Sequence, residues 1–151
     1  MHFSAGISLA VLSAVLTPAA AWEATLYTDS ICLAKGNTQY RIISGGVDGG
    51  CNVLGKDMPG TSCDKFTNGG ADKGACDGEK FQPSSILVQP DTACIVYADD
   101  HCGVGGELAY PKNNIPTCLG YTAGIGFGLS SIKSFACTAS SNLKGSGIPG
   151  F

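Results

Sequence analysis

The feature that most constrains this chain is a pattern it carries twice. Thr25-Leu26-Tyr27-Thr28-Asp29-Ser30-Ile31-Cys32 aligns with Ile95-Val96-Tyr97-Ala98-Asp99-Asp100-His101-Cys102, with Tyr, Asp and Cys at the same spacing after a β-branched or apolar lead-in. A second echo follows each copy, Ser84-Ser85-Ile86 and Ser130-Ser131-Ile132. A repeated unit with its own cysteine predicts a domain of two similar halves, each completing the other's core. A catalytic group seldom recurs at equivalent places of such a pair. Asp29 and Asp99 are therefore read as turn residues whose carboxylates accept bonds from nearby backbone N–H groups.

The cysteines fix the compartment. All 8 of them, Cys32, Cys51, Cys63, Cys76, Cys94, Cys102, Cys118 and Cys137, follow an N-terminal stretch with the features of a secretory signal. Ile7 to Leu16 is mostly apolar and about half the length of a membrane span, and Ala19-Ala20-Ala21 offers a cleavage site before Trp22. Residues 1–21 are read as that signal, residues 22–139 as a disulfide-rich β domain and residues 140–151 as a disordered tail. An even cysteine count after a signal predicts four disulfides in an oxidising compartment, hence a secreted, extracellular protein. Zinc sites bring ligands in close pairs. No C-x-x-C occurs and His101 is the one histidine after the signal, so neither metal nor cofactor is expected.

The net charge of −3 and the scatter of the 9 basic residues argue against nucleic acid as a partner. No second long apolar run exists, so no membrane span is expected. Paired glycines at 45–46, 49–50, 69–70 and 105–106 punctuate short β-prone runs at 24–28, 40–43, 85–89, 94–98 and 132–136. The fold class is all-β, a sandwich or barrel.

Tyr27 to Ser85 spans 58 residues and Tyr97 to Ser131 spans 34, so the first half is longer by 24. The excess is placed at 55–78, read as a polar loop closed by its own Cys63–Cys76 bridge. Eight cysteines allow about 105 pairings. Symmetry alone selects Cys32–Cys51, Cys63–Cys76, Cys94–Cys137 and Cys102–Cys118 among them.

The Tyr-Asp hairpin followed by Ser-Ser-Ile resembles the βγ-crystallin superfamily, and most closely its small secreted microbial branch. The resemblance implies a Greek-key β-sandwich of two motifs over about 23–137, and a filamentous fungus as source. The sequence departs from that family in places. Cys32 and Cys102 stand where the family has an aromatic residue, and Ala34 and Val104 where it has glycine. The places of its calcium-binding Asn or Asp residues hold Lys80 and Phe81, then Gly126 and Phe127, so calcium is not an expected partner.

His101 is the one candidate for acid–base work near neutral pH. Ile31 takes its place in the first copy, so the repeat does not require it, and catalysis is not expected. The expected function is that of a secreted cysteine-rich effector, a monomer and a virulence factor. It would bind a protein or cell-surface target of a host or competitor, inducing cell death or suppressing defence. The alternatives are an extracellular protease or hydrolase inhibitor and a killer-type antimicrobial toxin. Binding is expected in the parts the scaffold does not dictate. These are Lys65, Phe66, Asn68 and Lys73 of the insertion, and Asp100 and His101 of the second hairpin.

Overall fold

The computed structural model describes residues 21–46, 50–78, 80–103, 106–111, 114–120 and 131–139. The expected signal segment, save Ala21, and the expected tail lie outside these residues.

The first strand shows how the pattern is used. In β1 (Trp22–Tyr27), Trp22, Ala24 and Leu26 turn inward and are buried, while Glu23 is exposed. β2 (Tyr40–Gly45) pairs antiparallel with β1 and buries Arg41, Ile43 and Gly45 on the same inner side. Gly45 is required there: a Cβ would sit 2.4 Å from the indole of Trp22. The remaining strands are β3 (Asn52–Val53), β4 (Thr61–Thr67), β5 (Asp72–Ala75), β6 (Ser85–Val88), β7 (Thr92–Tyr97), β8 (Glu107–Ala109), β9 (Thr117–Gly120) and β10 (Ser134–Ala139).

They form two antiparallel sheets, β5-β4-β2-β1-β6-β9 and β3-β10-β7-β8. Each sheet takes one strand from the other half of the chain. β9, late in the sequence, closes the edge of the first sheet on β6. β3, early in the sequence, closes the edge of the second on β10. The inner faces share one apolar core that includes Leu26, Ile43, Ile86, Val88, Val96 and Phe135. Trp22 meets Phe135 edge to face at 6.1 Å, so this indole is a core residue.

Two expectations are corrected. Residues 61–75 are not a loop: β4 and β5 form a hairpin that pairs on β2 and widens the first sheet from four strands to six. Two of the four bridges also differ. Cys32 pairs with Cys118 and Cys51 with Cys102, where symmetry within each half suggested Cys32–Cys51 and Cys102–Cys118. The exchanged strands are the reason. Cys118 lies on β9, which belongs to the first sheet, and Cys51 directly precedes β3, which belongs to the second. The symmetry survives, with each hairpin cysteine bridged to the other half. Cys63–Cys76 and Cys94–Cys137 pair as expected.

Candidate functional site

The two repeated hairpins are built alike to within the bond lengths. Asp29 Oδ1 accepts from the N–H groups of Ile31 at 3.1 Å and Leu33 at 3.0 Å. Asp99 Oδ1 accepts from His101 at 3.0 Å and Gly103 at 3.1 Å. These two N–H bonds, Gly103 first, hold the Asp99 carboxyl below the usual carboxylate range. Each turn ends in a cysteine with left-handed backbone, φ 54° at Cys32 and 49° at Cys102. That conformation sends the cysteine N–H to a buried serine hydroxyl, Ser85 for Cys32 and Ser134 for Cys102.

The second serine corrects the register of the echo. The partner of Ser85 is Ser134, not Ser131, so the first half exceeds the second by 21 residues rather than 24. The shift also moves the calcium-motif places of the second half to Leu129 and Ser130, outside the described residues.

The expected binding residues fall into separate groups. On one face of the insertion hairpin, Phe66 stacks on Tyr40 at 4.7 Å and Lys73 lies 5.7 Å from the Phe66 ring. Lys73 also pairs with Asp64 at 2.9 Å. Asn68, at the hairpin tip with φ 51°, donates to the Asp72 carboxylate. That tip does not project. Gly69 N–H donates to the Thr38 carbonyl at 3.1 Å, and Gly70 lies against the Tyr40 hydroxyl. Lys65 lies one residue out of step with Phe66 and pairs with Asp77 at 2.9 Å, beside buried Arg41.

Asp100 and His101 sit apart from these, on the second hairpin. His101 Nδ1 lies 3.2 Å from Asp100 and 3.6 Å from Asp99, with its side chain 73% exposed. Lys56, at the start of the insertion, reaches across to Asp100 at 3.4 Å. His101 and then Lys56 hold the Asp100 carboxyl below its ordinary range.

This Lys56–Asp100 contact spans a groove that sequence reasoning did not find. A cavity of about 340 Å³ is lined by Leu54, Phe81 and Ile132, and by Lys56, Lys80 and Lys133. A second cavity of about 240 Å³ adjoins it through Gly55, Lys56 and Gly78, and is walled by the Cys63–Cys76 bridge. The three lysines come from three separate segments, after β3, before β6 and before β10. No local pattern links them. Only the register of the folded sheets does.

Two antiparallel sheets, four bridges and no free cysteine define a small, disulfide-stapled all-β protein of the extracellular kind. Residues 22–137 match the family described as "Secreted LysM effector LysM14, C-terminal domain". The chain belongs to this secreted-effector family and is an extracellular protein. No curated protein matches the chain. No solved structure matches it either.

Proposed function

We propose that the chain is a non-catalytic effector whose groove captures a target of a host or competitor outside the producing cell. The scaffold beneath it is read as a Greek-key sandwich of the βγ-crystallin kind. The supporting features are the duplicated Asp-capped hairpins, each locked by a buried serine, and the strands β3 and β9 exchanged between the sheets.

The observation that carries the functional reading is convergence. The repeat does not dictate the start of the insertion, nor Asp100 and His101 within the second hairpin, and these parts meet at Lys56 and Asp100 beside the groove. Turns and loops on a rigid frame are where recognition residues concentrate. The inhibitor reading needs a loop presented outward, whereas the insertion tip is tied back to Thr38 and Tyr40. The test is infiltration of the oxidised protein into leaf tissue, scoring cell death and defence output, beside a Lys80→Ala/Lys133→Ala variant. A response with the parent and its loss in the variant is expected. An inert parent that instead inhibits a secreted protease would reverse the reading.

A further inference from the structure

We propose that the larger cavity is a site for an acidic sugar chain, one built of uronate residues. The proposal rests on the groove being the target site and names the chemistry of its ligand.

The first support is where free positive charge lies. Arg41 and Lys65 meet Asp77, and Lys73 meets Asp64. Lys35, Lys80 and Lys133 meet no carboxylate among the described residues; Lys35 lies on the first hairpin, whereas Lys80 and Lys133 both line this one cavity. Lys56 is the third ammonium there, and its partner Asp100 is the one described carboxylate in the lining. A protein of net charge −3 has thus gathered three lysines around one concavity. Three ammonium groups against one carboxylate leave the walls net positive, and a cleft of mainly one sign focuses the potential and draws in ligands of the other.

The second support is apolar lining. Leu54, Phe81 and Ile132 line the cavity too, and half-buried Leu54 supplies most of that surface, since Phe81 and Ile132 are 8% and 5% exposed. A uronate residue matches both parts, since its ring offers a face of C–H groups and its C5 substituent a carboxylate.

Other polyanions fit less well. An extended acidic peptide binds by adding a strand to a sheet edge. β3, the edge strand lining the cavity, has two residues. A single-stranded nucleic acid stacks its bases on open aromatic rings. Phe81, the aromatic ring in the lining, is 8% exposed.

The experiment is calorimetric titration of the oxidised protein with an oligogalacturonate, its fully methyl-esterified neutral form, and an oligo-aspartate peptide. The oligogalacturonate is expected to bind, to weaken as salt is raised, and to outbind the other two probes. Lys80→Ala/Lys133→Ala should weaken it by about tenfold or more, and Lys35→Ala, on the first hairpin, should leave it unchanged. Four results would overturn the proposal: no binding of the uronate, equal binding of its ester, binding of the peptide alone, or an equal loss in Lys35→Ala. If the uronate fails while the lysine variant still loses leaf activity, the ligand class falls and the groove stands. If the uronate binds but leaf activity ignores the lysines, the sugar site stands and the effector reading falls.

Discussion

The hydroxyl of Ser134 accepts from the N–H of Cys102 at 3.1 Å and donates to the carbonyl of Asp99 at 2.8 Å. Ser85 makes the same two bonds, at the same lengths, to Cys32 and Asp29. Both serines are fully buried. One hydroxyl therefore closes each hairpin against the strand that returns beside it.

Removing either hydroxyl leaves a partly buried backbone N–H and carbonyl without that partner. Ser85→Ala and Ser134→Ala are each expected to cost about 1–3 kcal/mol. Urea unfolding with the disulfides intact measures it. Ser131→Ala, at the place the sequence echo suggested, should cost far less.

That echo shows what the sequence can and cannot reveal. Ser-Ser-Ile at 130–132 copies the letters of 84–86, but the fold selects a residue by where its hydroxyl reaches, and Ser134 lies between Lys133 and Phe135. β1, β2, β6, β7 and β10 were legible because their own residues are β-branched, aromatic or alternating. β4 and β5 were not. Thr61–Thr67 and Asp72–Ala75 are polar and turn-prone; pairing with β2 makes the first a strand, with Tyr40 opposite Phe66, and pairing with β4 makes the second one. The crossed bridges were hidden for a similar reason. Short loops look cheaper to close, and nothing local reports that β3 and β9 change sheets. The Tyr-Asp-Cys hairpins were legible because their bonds are local. The lysine groove was not, because its walls meet only after both sheets form.

The bridge pattern gives an ordered stability series. Cys32–Cys118 spans 86 residues of sequence and Cys63–Cys76 spans 13. Loop-closure entropy assigns about 4–5 kcal/mol to the first and about 3 to the second, before the remaining bridges shorten the loops. Replacing Cys63 and Cys76 by serine should leave a folded domain with a modestly lower Tm. Replacing Cys32 and Cys118 should lower Tm more. Non-reducing peptide mapping of the parent should find Cys32 joined to Cys118 and Cys51 to Cys102.

The second hairpin should loosen in acid. The Asp99 carboxyl is lowered in the folded state by the N–H groups of Gly103 and His101, and Asp100 by His101 and Lys56. A lowered acid stabilises fully above its unfolded pKa and stops doing so as pH falls through its folded value. The window therefore opens near pH ~4, the ordinary aspartate range, and extends below it. Amide hydrogen exchange at His101 and Gly103 should rise there, and Asp99→Asn should show the faster exchange already at neutral pH. Unchanged protection across that window would remove the capping role.

A single row of the first sheet should respond as a unit. Lys73, Phe66, Tyr40 and Tyr27 stand opposite one another across β5, β4, β2 and β1. Their rings are 4.7 Å apart for Phe66 and Tyr40 and 5.2 Å for Tyr40 and Tyr27. Burial, and then the neighbouring Tyr40, raise the Tyr27 phenol above its ordinary range. Phe66 is half-buried, so Phe66→Ala should cost about 1–2 kcal/mol through lost area and ring contact. Lys73→Ala removes a cation over that ring and an exposed pair with Asp64, and should cost less than about 1 kcal/mol. Because the rings lean on one another, Phe66→Ala should also free Tyr40 and thereby bring the Tyr27 phenol back toward its ordinary range. Ultraviolet titration at alkaline pH reads that shift. A stability loss with the Tyr27 titration unmoved would mean that the row packs as separate pairs.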